Sequence, residues 1–249
     1  AAVWKTIDQL RQEGYGIDAA PKRGYTLASV PDRLDTALVR AYLTGHPWQP
    51  LATAVPSADS TNNACKRLAA EGAPDGTAIL TGCQTAGRGR RGRTFVSPPG
   101  GLYFSVILRP HAQPEALMHL TAMTAVAAAR AICAVSGVYP GIKWTNDLVI
   151  NKRKLCGILA ELALTQSGQV DFAVVGIGIN CAQAPGDFDP GIRDMAGSLA
   201  MATGRGVDRT ALAAACVRSM AHLAAHLEDR AGYLERYRAD CVTLGAQIQ

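Results

Sequence analysis

Apolar positions repeat with two different periods along this chain, and each change of period marks a change of element. Trp4, Ile7 and Leu10 recur at helical spacing, and Gly14 follows as a stop signal. Residues 15–28 then predict two short extended pieces joined by Pro21, Lys22, Arg23 and Gly24, a turn-forming group, with 29–32 as a linker. From residue 33 a larger pattern begins. Asp59, Ser60, Thr61 and Asn62 have N-cap chemistry and open a helix that runs to about Glu71, with Gly72 ending it. Residues 77–83 and 102–109 predict strands on either side of a Gly/Arg-rich loop. Pro114 starts a long apolar helix that Gly137 closes. Residues 147–151 and 154–164 predict a hairpin turning across Lys152 and Arg153. Residues 170–176 predict another strand, in an apolar run that implies burial on both faces. Asp208 caps a second long helix, with Leu212, Cys216, Leu223 and Leu227 on one side. Paired strands between two long helices predict an α+β fold, a mixed β-sheet flanked by helices.

Composition narrows the classes. The 249 residues are 48% hydrophobic and 18% charged, which excludes disorder, collagen and coiled coil. A net charge of +5 is too mild to announce a nucleic-acid binder, so any anion site must be argued locally. No uninterrupted apolar run reaches the ~18 residues of a membrane span, and the first residues lack the regions of a signal peptide. Seven cysteines, widely spaced and without C-x-x-C, read as reduced thiols. The expectation is a cytoplasmic protein with no membrane partner. The chain begins at Ala1 without methionine and reads as a fragment.

Three segments carry the chemistry. Residues 84–93, QTAGRGRRGR, hold four arginines and three glycines with no acid. Gly87, Gly89 and Gly92 imitate a dinucleotide fingerprint, but residues 94–101 (TFVSPPGG) cannot open the helix which that motif needs. Glycine-permitted backbone approach and guanidinium forks still suit phosphate or carboxylate. A solvated basic loop or a nucleic-acid patch fits this segment equally well by itself. Lys143, Asn146 and Asp147 gather where a strand begins, and the chain returns through Lys154 and Gly157. Together they offer a cation, an amide and a carboxylate, with room for a ligand. Gly176, Ile177, Gly178 and Asn180 end a buried strand with small residues, a pattern that a bulge would also give. His222 and His226 stand i,i+4 on one helix, but no third ligand is near in sequence, so they read as a polar helix edge.

In this order and spacing, the segments resemble the biotin protein ligases, in particular the bifunctional bacterial type that also represses the biotin operon. The motifs are S-T-N at 60–62, Q-x-A-G-R-G-R-R-G-R at 84–93, L-Y-x-S at 102–105, K-W-x-N-D-L at 143–148 with R-K-L-x-G-I-L-x-E at 153–161, and G-x-G-I-N at 176–180. The resemblance covers about residues 1–245. It implies an ATP- and Mg2+-dependent enzyme that makes biotinyl-5′-AMP and transfers biotin to a lysine of the biotin carboxyl carrier protein, an acetyl-CoA carboxylase subunit. The implied fold is a mixed sheet related to the class II aminoacyl-tRNA synthetases.

Residue by residue, Ser60, Thr61, Asn62 and Gln84 match positions that hold biotin, including its ureido group. Arg88, Gly89 and Arg90 match the loop that closes over biotin and the adenylate, and Lys154 matches the lysine at the reacting carboxylate and phosphate. Tyr103, Gly157, Ile177 and Gly178 match positions near the biotin pocket. Arg91, Lys143, Asn146 and Asn180 fall to the ATP and adenylate side. The implied catalytic set is Lys154, Arg88, Arg90 and Asp147, where Asp147 either binds magnesium or positions the acceptor lysine. Phe95 stands where the family usually has tryptophan, and Thr145 where it usually has proline.

On the same resemblance, residues 1–30 are the end of a winged helix with Lys22 and Arg23 at the wing tip, 31–240 the catalytic domain, and 241–249 the first strand of a small SH3-like domain. The chain is expected to be truncated at both ends. Operator DNA is then a partner only of a full-length parent, and a homodimer is expected when biotinyl-AMP is bound. Two other readings stand beside this one: a lipoate-type acyl ligase on the same fold, and a regulator that only senses biotinyl-AMP.

Overall fold

Gly14, at φ +93°, ends α1 (Ala2–Gln12) and turns the chain into the hairpin of β1 (Gly16–Ala20) and β2 (Gly24–Ser29). The Arg11 guanidinium donates to the Ile17 carbonyl at 2.7 and 3.1 Å, tying helix to hairpin. Val3, Trp4 and Leu27 are exposed. The computed structural model describes residues 2–21, 23–29, 32–110 and 112–246. Lys22 of the expected wing tip, Val30 and Pro31 of the expected linker, and residues 247–249 lie outside the described residues. The chain divides into two compact units, Ala1–Arg33 and Leu34–Gln249.

The second unit is built on one sheet. Its strands are β3 (Ala52–Val55), β4 (Ala78–Thr81), β5 (Gly101–Leu108), β6 (Gly141–Lys143), β7 (Asp147–Ile150), β8 (Arg153–Leu164) and β9 (Val170–Asn180). They lie in the order β3-β4-β5-β9-β8-β7-β6, with β3–β4 parallel and the other pairs antiparallel. The helices are α2 (Thr36–Tyr42), α3 (Thr61–Ala70), α4 (Leu120–Ser136), α5 (Leu199–Thr203), α6 (Arg209–Ala225) and α7 (Arg230–Asp240).

Every residue of β5 is buried, because both faces are covered. Leu102, Phe104, Val106 and Leu108 join Val175, Ile177 and Ile179 in the large core with α4 and α6. Ile107 and Val174 point the other way, toward Cys65 and Ala69 of α3. Alternation on two central strands thus gives two cores, and the α3 side carries the polar chemistry. The segment Pro114–Ser136 is long and apolar enough to cross a membrane, yet more than half of it is buried in the core.

Several expectations need correction. The helix after Pro114 begins as a short 3-10 turn, Pro114–Leu117, and becomes α-helical only at Leu120. The β7–β8 hairpin turns at Asn151 and Lys152, both left-handed at φ +51° and +64°, and Arg153 already belongs to β8. Two left-handed residues match the twist of the strands they join, which fixes the turn one residue early. The strand keeps its register against both neighbours from Ala173 through Ile179, its one shift against β8 falling near Val170, so its glycines are not a bulge. Residues 242–245 form a turn rather than the expected strand. Cys241 alone bridges to Ile142, and Val242 N–H donates to the Ile142 carbonyl.

Candidate active site

The N-terminus of α3, the arginine loop, the β7–β8 hairpin and the end of β9 converge on one cavity of ≈ 350 Å³. Its floor is a pair of glycines in register, Gly157 on β8 and Gly178 on β9. The Phe95 ring lies on that pair: a Cβ at Gly157 would stand 2.7 Å from the ring, and one at Gly178 2.6 Å. Phe95 also meets Tyr103 edge-on, with ring centroids 6.3 Å apart. Tyr103 donates its hydroxyl proton to the Pro98 carbonyl at 2.9 Å, and burial pushes its pKa up. Ile177 borders the cavity as well, but its side chain packs in the large core on the opposite face of the sheet.

The polar end begins at Ser60. It precedes α3 but makes no side-chain cap bond, contrary to the N-cap expectation. Gln84 does that work instead. Its Oε1 accepts from Thr61 N–H at 2.8 Å and from the Thr61 hydroxyl at 3.2 Å, while its Nε2 donates to Ser97 Oγ at 2.8 Å. Ser97 in turn donates to the Phe95 carbonyl at 2.9 Å. The Ser60 hydroxyl and the second amide proton of Gln84 remain available.

Asn62 is used differently from expectation. Its Oδ1 accepts from Ser105 Oγ at 2.7 Å, and its Nδ2 donates to the Leu159 carbonyl at 3.3 Å and to Glu161 Oε2 at 2.9 Å. Both amide protons are spent inside the protein, so Asn62 lines the cavity without a proton to give a ligand. Gly176 leaves the space this amide fills, because a Cβ there would run into it.

The arginine loop is held at its two ends and its middle. Arg88 Nη1 donates to Asn63 Oδ1 at 2.9 Å, and Arg88 Nη2 pairs with Glu161 Oε1 at 3.3 Å. Arg90 Nη1 donates to Asn146 Oδ1 at 3.0 Å and to the Thr145 hydroxyl. Gly89 N–H donates to the Arg93 carbonyl at 2.7 Å, and Arg91 takes the left-handed conformation at φ +54°. Asn146 also clasps β8, accepting from Ile158 N–H at its own carbonyl and donating from Nδ2 to the Ile158 carbonyl. Lys154 Nζ pairs with Asp147 at 2.8 Å and stands 5.5 Å from the Phe95 ring centroid.

Arg88, Arg90, Arg91, Arg93 and Lys154 therefore face Asp147 as the one carboxylate of this lining. Such a cavity selects an anion. Two expected residues do not line it. Lys143 is exposed on β6, away from the cavity lining. Asn180 is buried, and its Nδ2 donates to the carbonyls of Gly197 at 2.9 Å and Lys154 at 3.4 Å, so it braces the backbone behind Lys154. Lys66 and Glu161, to which the sequence motifs give no role, pair at 2.9 Å behind the cavity. Their signal was available: Asn62 and Lys66 stand i,i+4 on α3, and Gly157, Leu159 and Glu161 alternate onto one face of β8. His222 and His226 stack with ring centroids 4.3 Å apart, and the described residues contain no metal-ligand group of three or more.

The sequence model of the biotin/lipoate A/B protein ligase family matches residues 54–180, the stretch that supplies nearly all of this lining. The chain belongs to that family. Among curated relatives, the bifunctional ligase/repressor BirA of Bacillus subtilis is 38% identical over 209 residues, 84% of this chain and 64% of its own length. The chain thus spans just under two thirds of that relative. The biotin–[acetyl-CoA-carboxylase] ligase of Mycobacterium tuberculosis is 32% identical over 212 residues, covering 82% of this chain and 76% of its own. Among solved structures, the biotin protein ligase of Aquifex aeolicus in complex with biotin and ATP aligns with a TM-score of 0.65 at 27% identity, over 78% of this chain and 79% of that one. These ligases share the mixed sheet flanked by helices.

Proposed function

We propose that the chain is an ATP-dependent biotin ligase, adenylating biotin to biotinyl-5′-AMP and passing biotin to a lysine of a biotin carboxyl carrier protein. The observation that carries this reading is one cavity that combines three chemistries. Neutral hydrogen-bonding groups (Ser60, Thr61, Gln84) suit a ureido, the Phe95–glycine slot suits an apolar ring, and five cations suit a carboxylate and phosphates. Attack of a carboxylate on the α-phosphate brings two anions together, and Arg88, Arg90 and Lys154 are the charges that offset their repulsion. Arg90 links the loop to the Asn146 turn and so holds it down, which would keep water from the mixed anhydride.

Magnesium fits this site only as an ion brought in on the nucleotide. The lining offers one carboxylate, Asp147, which Lys154 already holds. When bound, the ion would shield the leaving pyrophosphate. Asp147 orients Lys154 in this reading.

Partners follow the same reading. The names of relatives supply an acetyl-CoA carboxylase acceptor and a repressor role. A DNA role would fall to the helix–hairpin unit, with exposed Arg23 in its turn. A homodimer has support in β8: beyond Ile158 no strand lies on its β7-side edge among the described residues, and Leu162 and Leu164 are exposed there. A pyrophosphate-release assay with ATP and either biotin or lipoate tests the function. Release with biotin is the expected result, and preference for lipoate would favour the lipoate-type ligase.

A further inference from the structure

Behind the cavity, and lining no part of it, stands a carboxylate that holds two of its side chains. Glu161 Oε2 accepts from Asn62 Nδ2 at 2.9 Å, and Glu161 Oε1 pairs with Arg88 Nη2 at 3.3 Å. The same Oε1 receives Lys66 Nζ at 2.9 Å, from one turn further along α3. Glu161 is the least exposed of the three, at 22% of its side chain against 33% for Lys66 and 45% for Arg88.

A negative charge held next to Arg88 works against anion binding. Were Arg88 the sole partner of Glu161, the pair would be neutral, and the guanidinium would have little charge left for a ligand. Lys66 changes that balance. Two cations against one carboxylate leave a net charge of +1, and Arg88 is the member that reaches the cavity. Asn63 fixes the other guanidinium nitrogen at 2.9 Å, so Arg88 is oriented as well as charged. Asn63 is itself held, donating to Asp59 at 3.0 Å.

We infer that Glu161 and Lys66 are positioning residues for the anionic end of the ligand: Glu161 aims Arg88, and Lys66 neutralises Glu161 so that the charge of Arg88 remains available. The inference rests on the biotin reading for the identity of that ligand, whose valerate carboxylate is the anion concerned. A generic packing role for Lys66 would affect any ligand of the cavity alike. The charge role acts on the carboxylate alone.

The test measures binding of biotin and of uncharged biotin amide to the parent chain, Lys66→Met, Glu161→Gln and the double variant, by calorimetry at low and physiological salt. Lys66→Met keeps the length and apolar stem of the side chain, and Glu161→Gln keeps an oxygen to accept from Asn62. Expected is about a tenfold loss of biotin affinity in Lys66→Met, largest at low salt, with the amide changed less than about twofold. Glu161→Gln in the Lys66→Met background should recover most of that loss, because it removes the unbalanced charge. Equal losses for biotin and its amide, or no recovery in the double variant, would overturn the inference. If the parent chain bound neither probe, the functional reading itself would fall, which separates the two failures.

Discussion

On the proposed biotin reading, Lys154 is the residue on which the chemistry turns. Its ammonium stands 2.8 Å from Asp147, and its backbone is clamped by Met195 and Gly197, whose carbonyl and N–H bond to it at 2.6 and 2.9 Å. A cation so fixed costs no reorganisation when charge grows on the phosphate, and loss of such a group typically costs on the order of 3 kcal/mol, about a hundredfold in rate. Lys154→Ala should therefore slow adenylation about a hundredfold while weakening biotin binding much less. Single-turnover kinetics at saturating substrate would read this, and unchanged rates would remove Lys154 from the chemistry. Asp59 gives a residue-scale effect on stability. Hydrogen bonds from Arg67, then Asn63 and the Ser60 backbone, hold its carboxyl down to about 2. A carboxyl depressed on folding contributes fully above its unfolded pKa of about 4 and loses that contribution as pH falls toward 2. The melting-temperature gap between parent and Asp59→Asn should thus be present at pH 6 and close between pH 4 and 2. A gap independent of pH would mean that the charge contributes nothing.

At the scale of elements, the site depends on a cross-strand pair without side chains. Gly157 and Gly178 face each other in register, and the loop returns over them to seat Phe95. Gly157→Ala should push the ring from its slot, costing about 1–3 kcal/mol of stability through overpacking. Phe95→Ala in the same chain should relieve most of the steric part, a non-additivity that denaturant melts of the two single variants and the double would reveal. Strict additivity would mean that the ring and the glycine do not touch. The glycines were legible in the sequence because they sit in G-x-G-I-N and K-L-x-G, and the hairpin was legible because its two strands are adjacent. What stayed hidden has physical causes. In α7 only Tyr233 and Tyr237 are buried, an apolar stripe too narrow to announce a helix, and β3 is four residues long. Ser60 looks like an N-cap by type but makes no cap bond, and the N–H of Thr61 goes instead to Gln84, 23 residues beyond Thr61. The Lys66–Glu161 pair joins residues 95 apart, which only the packing of α3 over β5 and β9, next to β8, can bring together.

For the whole molecule, the sheet is covered at one edge and open along part of another. Arg40 and Thr36 of α2 satisfy carbonyls of β3, with Arg40 Nε donating to Ala52 at 2.9 Å and Thr36 Oγ1 to Ala54 at 3.1 Å, which blunts that edge. The far half of β8 has no such cover among the described residues, and charges placed on an edge strand oppose pairing. If the proposed homodimer pairs along this edge, Leu162→Glu with Leu164→Glu abolishes it in sedimentation velocity of the adenylate-loaded chain and leaves adenylation intact. A dimer surviving both changes would place the interface elsewhere.

The claim on which all of this depends is that the cavity joins biotin to AMP. The direct measurement is native mass spectrometry of the chain after incubation with biotin and MgATP, together and singly. The expected result is a retained species of the mass of biotinyl-5′-AMP when both are present and none with either alone. Retention of lipoyl-AMP in preference when lipoate is offered in competition, or of no adenylate at all, would contradict the account.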